Sequence, residues 1–150
     1  MSTEKIIEVA SVQEMQSFGE NIGRLLQGGE VIELAGDVGA GKTTFVKGLA
    51  RGLEIDEDVQ SPSFTISRVY TARNALQLAH YDFYRLNDAG IMASELSETT
   101  TDPKSITVIE WAEIVEDILP EHRLRITFTA PTETSRTLVL DGPEIILEKL

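Results

Sequence analysis

The chain has 150 residues, 41% of them hydrophobic, with 13 basic against 25 acidic side chains and a formal net charge of −12. That apolar content is enough for one core and too little for two, so a single domain over residues 1–150 is expected. Cysteine is absent, which excludes disulfides, thiolate metal sites and thiol nucleophiles. No run approaches the eighteen or so apolar residues of a membrane helix, and Met1 to Lys5 leads into no secretory-type stretch, so a cytoplasmic protein without membrane association is expected.

In chain order, Ser11-Val12-Gln13-Glu14 reads as a capping box. Val12, Met15, Phe18, Ile22, Leu25 and Leu26 follow at helical spacing, and Gly28-Gly29 ends that helix. Val31 to Ala35 reads as a strand. Gly36-Asp37-Val38-Gly39-Ala40-Gly41-Lys42-Thr43 then fits the GxxxxGK[ST] pattern of a P-loop. In that motif backbone N–H groups cradle phosphates, the Lys reaches the β- and γ-phosphates and the hydroxyl ligates Mg²⁺. Thr43 opens a helix that runs to Arg51 and stops at Gly52, so Thr44 lies in the same anion-facing first turn. A nucleoside phosphate with Mg²⁺ is therefore the expected ligand. Strand, loop and helix stand in the order the motif needs.

The acidic charge does not conflict with an anionic ligand, because the loop amides, Lys42 and a bound cation set the local field. It does argue against direct binding of a nucleic-acid backbone, which takes clustered Lys and Arg. The basic residues here are scattered.

Ser61-Pro62-Ser63 marks a loop, followed by strands over Phe64–Tyr70 and Leu76–Asp82 joined at Thr71-Ala72-Arg73-Asn74. Residues 88–98 read as a weak helix, Ile106–Ile109 as a buried strand, and Trp111–Leu119 as a helix stopped near Pro120. Leu124–Thr129 and Thr137–Leu140 read as a last pair of strands. The pattern predicts an α/β fold, a three-layer P-loop NTPase-like sandwich around a mixed, mainly parallel sheet.

Ligands of open α/β sheets lie beyond the carboxyl ends of the strands. Glu110 ends an apolar strand, where a P-loop enzyme holds Mg²⁺ opposite the loop hydroxyl, usually with Asp. The structural alternative is an acidic helix cap beside Trp111. Asp82, in His80-Tyr81-Asp82-Phe83-Tyr84-Arg85, could orient an attacking water, hold metal through water, or pair with Arg85. Alternation puts His80 and Asp82 on one strand face, with Tyr81 and Phe83 on the other. His80 alone is as compatible with a structural hydrogen bond as with acid–base chemistry. Ser61, Pro62, Ser63, Phe64 and Thr65 lie where a γ-phosphate-sensing loop would come.

Taken together, GDVGAGKTTF, SPSF, HYDFYR and VIEW, in this order and spacing, closely resemble the TsaE (YjeE) family of small bacterial P-loop ATPases. The resemblance covers nearly the whole chain. It implies a role in forming threonylcarbamoyladenosine beside the anticodon of tRNAs that read codons starting with A. TsaD and TsaB would be the partners, with tRNA held only indirectly through them. It further implies Lys42 for phosphates, Thr43 and Glu110 for Mg²⁺, Asp82 for catalysis, and Ser61–Thr65 as a switch-like loop. Ser63 stands where the family usually has Thr, a change that keeps the hydroxyl.

Two other classes share the cradle. A small-molecule kinase would carry an Arg-bearing lid, and the candidate stretch 88–104 holds Lys104 and no Arg. A non-hydrolysing nucleotide-dependent binding module would not need Asp82 and Glu110.

Overall fold

The computed structural model describes residues 2–36, 39–60, 62, 66–84, 86 and 88–150. Its strands are β1 (Ser2–Val9), β2 (Val31–Ala35), β3 (Ser67–Thr71), β4 (Gln77–Asp82), β5 (Ser105–Glu110), β6 (Leu124–Thr129) and β7 (Arg136–Pro143). They form one sheet in the order β1-β7-β6-β2-β5-β4-β3. The central junctions β6–β2, β2–β5 and β5–β4 are parallel, and the flanking ones are antiparallel. The helices are α1 (Val12–Leu25), α2 (Lys42–Gly52), α3 (Met92–Thr101) and the single turn α4 (Glu144–Leu147).

Strand alternation divides the core into two. Ile32, Leu34, Leu78, Ile106, Val108 and Ile126 turn to one face and pack on α1 and α2 through Ile22, Phe45 and Leu49. Val31, Ala79, Tyr81 and Ile109 turn to the other and pack on Leu96 of α3 and on Ala112 and Val115. These are the three layers expected. Glu33, buried on the second face, is matched by Arg123, whose Nε donates to its Oε1 at 2.7 Å.

α1 and α2 meet at a seam of glycines. A Cβ on Gly48 would stand 2.1 Å from the Gln16 carbonyl oxygen, and one on Gly19 would stand 2.4 Å from that of Phe45. Gly23 and Gly52 are equally tight against Leu49 and Glu20. Only hydrogen side chains allow the two backbones to approach so closely.

Several boundaries differ from the sequence reading. The Ser11 hydroxyl accepts from the Glu14 N–H at 3.1 Å, so α1 starts as expected. The third helix spans Met92–Thr101 rather than 88–98. Its β-branched end is held by Thr99 and Thr101 hydroxyls, which donate one turn back to the Glu95 and Ser97 carbonyls at 3.0 Å. Residues Ala112–Ile118 form a 3₁₀ helix entered through Trp111 at φ 58°. Acidic Glu113, Glu116 and Asp117 at three- and four-residue spacing, beside β-branched Ile114 and Val115, disfavour a regular α-helix. β1 and α4 had no sequence assignment. The strand expected from Phe64 begins at Ser67, while Phe64 and Thr65 lie outside the described residues.

Candidate functional site

The parallel register places three chain segments on one edge of the sheet. Leu34 of β2 pairs with Glu110 of β5, and Glu110 pairs with Asp82 of β4. The chain leaving β2 enters the glycine loop directly, so loop, Asp82 and Glu110 gather at the carboxyl ends of three adjacent strands, where α/β sheets bind ligands. All three follow from strand length and register.

Gly41 caps α2 in a left-handed conformation at φ 102° and offers no side chain to the first-turn amides. A helix start left open in this way is an anion site. Lys42 reaches back across the loop and is almost fully buried. Its Nζ donates to the Gly36 carbonyl at 2.7 Å, lies 3.9 Å from Glu110 Oε1, and sits 4.2 Å from the Trp111 ring centroid. That is within cation–π range. Trp111 in turn packs on Tyr84 with ring centroids 4.8 Å apart.

Glu110 and Asp82 are both buried. Glu110 Oε2 lies 2.6 Å from His80 Nε2, so its two oxygens have different neighbours, His80 and Lys42. Asp82 Oδ1 accepts from the Tyr84 N–H at 2.9 Å, which turns the chain out of β4. The helix-cap alternative for Glu110 is not what the structure shows, because the 3₁₀ helix has no side-chain cap and the Glu110 oxygens are turned to His80 and Lys42. Among the described residues no cluster of three or more His, Cys, Asp or Glu forms a protein-only metal cage.

On the other flank of the loop lies a cleft of about 470 Å³ between the start of α1 and the turn before β7. Ser11, Gln13, Gly39, Gly41, Thr44 and Arg136 contribute to its walls. Arg136 is fixed by the Thr132, Glu133 and Ser135 carbonyls at 3.0, 3.2 and 2.8 Å, and its Nη2 approaches the Gly39 carbonyl at 3.5 Å.

The family model for "Threonylcarbamoyl adenosine biosynthesis protein TsaE" matches residues 9–138 of this chain. The chain belongs to the TsaE family. It is similar to the tRNA threonylcarbamoyladenosine biosynthesis protein TsaE of Treponema pallidum, at 38% identity over 87% of this chain and 95% of that one. The corresponding Bacillus subtilis protein is 34% identical over 92% of this chain and 88% of its own. Among solved structures, the crystal structure of Bacillus subtilis YdiB superposes with a TM-score of 0.81, 28% identity, and coverage of 99% and 95%.

Within this TsaE-family fold, the residues read from the sequence separate into two groups. Gly36, Gly39, Ala40, Gly41, Lys42, Thr43 and Thr44 form the loop and first turn of α2, and Asp82, Glu110, His80 and Trp111 converge beside it. Asp37, Val38, Ser61, Ser63, Phe64, Thr65 and Arg85 lie outside the described residues, so of the switch-like loop only Pro62 is described. That Ser11, Gln13 and Arg136 line one cleft beside the loop is not legible in the sequence, where Ser11 and Gln13 read only as a capping box and Arg136 only as one of several arginines that could reach a γ-phosphate. Ser11 and Gln13 stand far from Arg136 in the chain, and no motif links the capping box to it. A hydroxyl N-cap two elements ahead of a P-loop was the one available signal.

Proposed function

We propose that this chain is a Mg²⁺-dependent P-loop ATPase that supports formation of threonylcarbamoyladenosine next to the anticodon of tRNAs reading codons that start with A, acting in the cytoplasm with TsaD and TsaB. Membership of the TsaE family supports the tRNA-modification setting. The ATPase reading rests on one observation: an open helix start carrying Lys42 faces two buried carboxylates, Asp82 and Glu110, that are register partners.

The donors fit Mg²⁺. This ion prefers oxygen and takes few protein ligands, completing its shell with water and phosphate, and Thr43 and Glu110 supply a hydroxyl and a carboxylate. Bound there, the ion would neutralise charge on the phosphates. The loop amides hold the phosphates, while Lys42 leaves Gly36 and Trp111 for the β- and γ-phosphates. Asp82 orients the water that attacks the γ-phosphorus as the bond to the β-phosphate oxygen breaks, giving ADP and inorganic phosphate. The cleft by Ser11 and Arg136 receives the nucleoside. The tRNA is gripped by the partners, in keeping with a net charge of −12.

Fast P-loop hydrolysis usually takes an arginine at the γ-phosphate, worth about 10³–10⁵ in rate. Among the described residues, Arg136 lines the cleft by Ser11 rather than the pocket around Lys42 and Trp111, so the chain alone is expected to turn over slowly and its partners to raise the rate. Steady-state phosphate release from the chain alone, with TsaD, with TsaB and with both tests this. Full-speed release by the chain alone, unchanged by partners, rejects the coupled mechanism. Phosphate transfer to an added small-molecule acceptor revives the kinase reading.

A further inference from the structure

His80 is fully buried in β4, two residues before Asp82. Its Nε2 lies 2.6 Å from Glu110 Oε2 across the β4–β5 junction. A carboxylate only accepts, so the shared hydrogen belongs to Nε2. The other ring nitrogen, Nδ1, is buried with no hydrogen-bond partner among the described residues. A ring sealed between β-strands with one nitrogen unmatched is unfavourable compared with an apolar side chain. What the ring provides in return is one directed donor, aimed at one oxygen of Glu110.

We infer that His80 is a positioning residue for Glu110: its Nε2–H fixes Oε2, so that Oε1 is presented to the phosphate loop and the carboxylate is kept from closing onto Lys42. The separation of 3.9 Å between Lys42 Nζ and Glu110 Oε1 is too long for a hydrogen bond. A carboxylate free to rotate about its last torsion would shorten it and offer both oxygens to the ammonium. That tight pair would occupy both the residue meant for the phosphates and the residue meant for the cation. Partners that orient a metal-binding carboxylate are typically worth about 10–100-fold in metal affinity. This role rests on the nucleotide and Mg²⁺ reading above.

The test compares two isosteric amides. The Gln side chain can place its NH₂ where Nε2 stands, whereas the shorter Asn places its NH₂ near Nδ1. ADP affinity is measured by calorimetry with Mg²⁺ and with EDTA for the wild type, His80→Gln and His80→Asn, alongside the thermal midpoint of each. Expected is a loss of about tenfold or more in the Mg²⁺ enhancement for His80→Asn, its recovery in large part by His80→Gln, and an EDTA affinity little changed in both. An enhancement retained by His80→Asn overturns the positioning role alone, as does an equal loss with and without Mg²⁺. A wild type that binds no ADP overturns the nucleotide reading and this inference together. A measurement on the unmodified protein guards against a variant that fails to fold: its ¹⁵N-histidine spectrum should show a hydrogen on Nε2 of His80. An Nε2 without a hydrogen would refute the assignment.

Discussion

Asp82 and Glu110 are register partners on adjacent parallel strands, and both are buried at the edge where the phosphate loop begins. Neighbouring strands lie about 4.8 Å apart, so two carboxylates would repel strongly unless each had its own compensation. Glu110 has His80 and Lys42, and Asp82 has the Tyr84 amide among its partners. The site therefore carries an internal counter-charge for the Lys42 ammonium, which on the proposed reading would exchange it for phosphate.

Lys42→Ala should lower ATP hydrolysis by about 10²–10³, the usual loss when a charge-stabilising group is removed from a transition state. The lysine contacts a carbonyl, a carboxylate edge and a ring face rather than the apolar core, so the fold should persist. Phosphate release and thermal midpoint measured side by side decide this. Turnover at the wild-type rate would remove Lys42 from the mechanism.

Glu110→Gln should weaken ADP binding in Mg²⁺ by about tenfold or more and alter it far less in EDTA. The amide carbonyl can still accept from His80 Nε2, which leaves the NH₂ facing Lys42. One substitution thereby removes the anionic ligand and sets a donor against a cation. Equal losses under both conditions would make Glu110 a purely structural residue.

Trp111 is the single tryptophan of the chain, with Lys42 4.2 Å from its ring. When nucleotide draws the ammonium toward phosphate, the indole loses its cation and its emission should change. Titration with Mg²⁺-ADP should give a saturable signal whose midpoint matches calorimetry. Flat emission under conditions where calorimetry detects binding would show that Lys42 does not leave the ring.

Gly48→Ala should destabilise the protein by about 3 kcal/mol, the upper end for overpacking. The added methyl meets a backbone oxygen at 2.1 Å, which cannot rotate away. At this chain length the thermal midpoint should fall by about 6–12 °C. Differential scanning calorimetry reads it directly, and an unchanged midpoint would mean the α1–α2 seam is looser than described.

Signals confined to a few neighbouring residues were legible in the sequence. The Ser11 cap, the glycine loop and β6, whose limits Leu124–Thr129 match the expectation, are all encoded locally. β1 was not, because Ile6 and Ile7 sit together among charges and only one of them packs on the core. The strand is defined by its eight-residue pairing with β7, more than a hundred residues away. The loop, Asp82 and Glu110 were readable as strand-end chemistry. The His80–Glu110 bond and the Arg136 wall were not, since each joins residues whose proximity depends on sheet order rather than on spacing.

The glycine seam also determines how the site can move. α1 begins at the cleft by Ser11 and α2 begins at the glycine loop, and along the seam backbone packed directly on backbone leaves no side-chain layer in which one helix could slide over the other. The Ser11 side of the cleft and the first turn of α2 thus travel as one body. On the proposed ATPase reading, closure around ATP would come from the opposite bank, where Asp82, Tyr84, Glu110 and Trp111 meet.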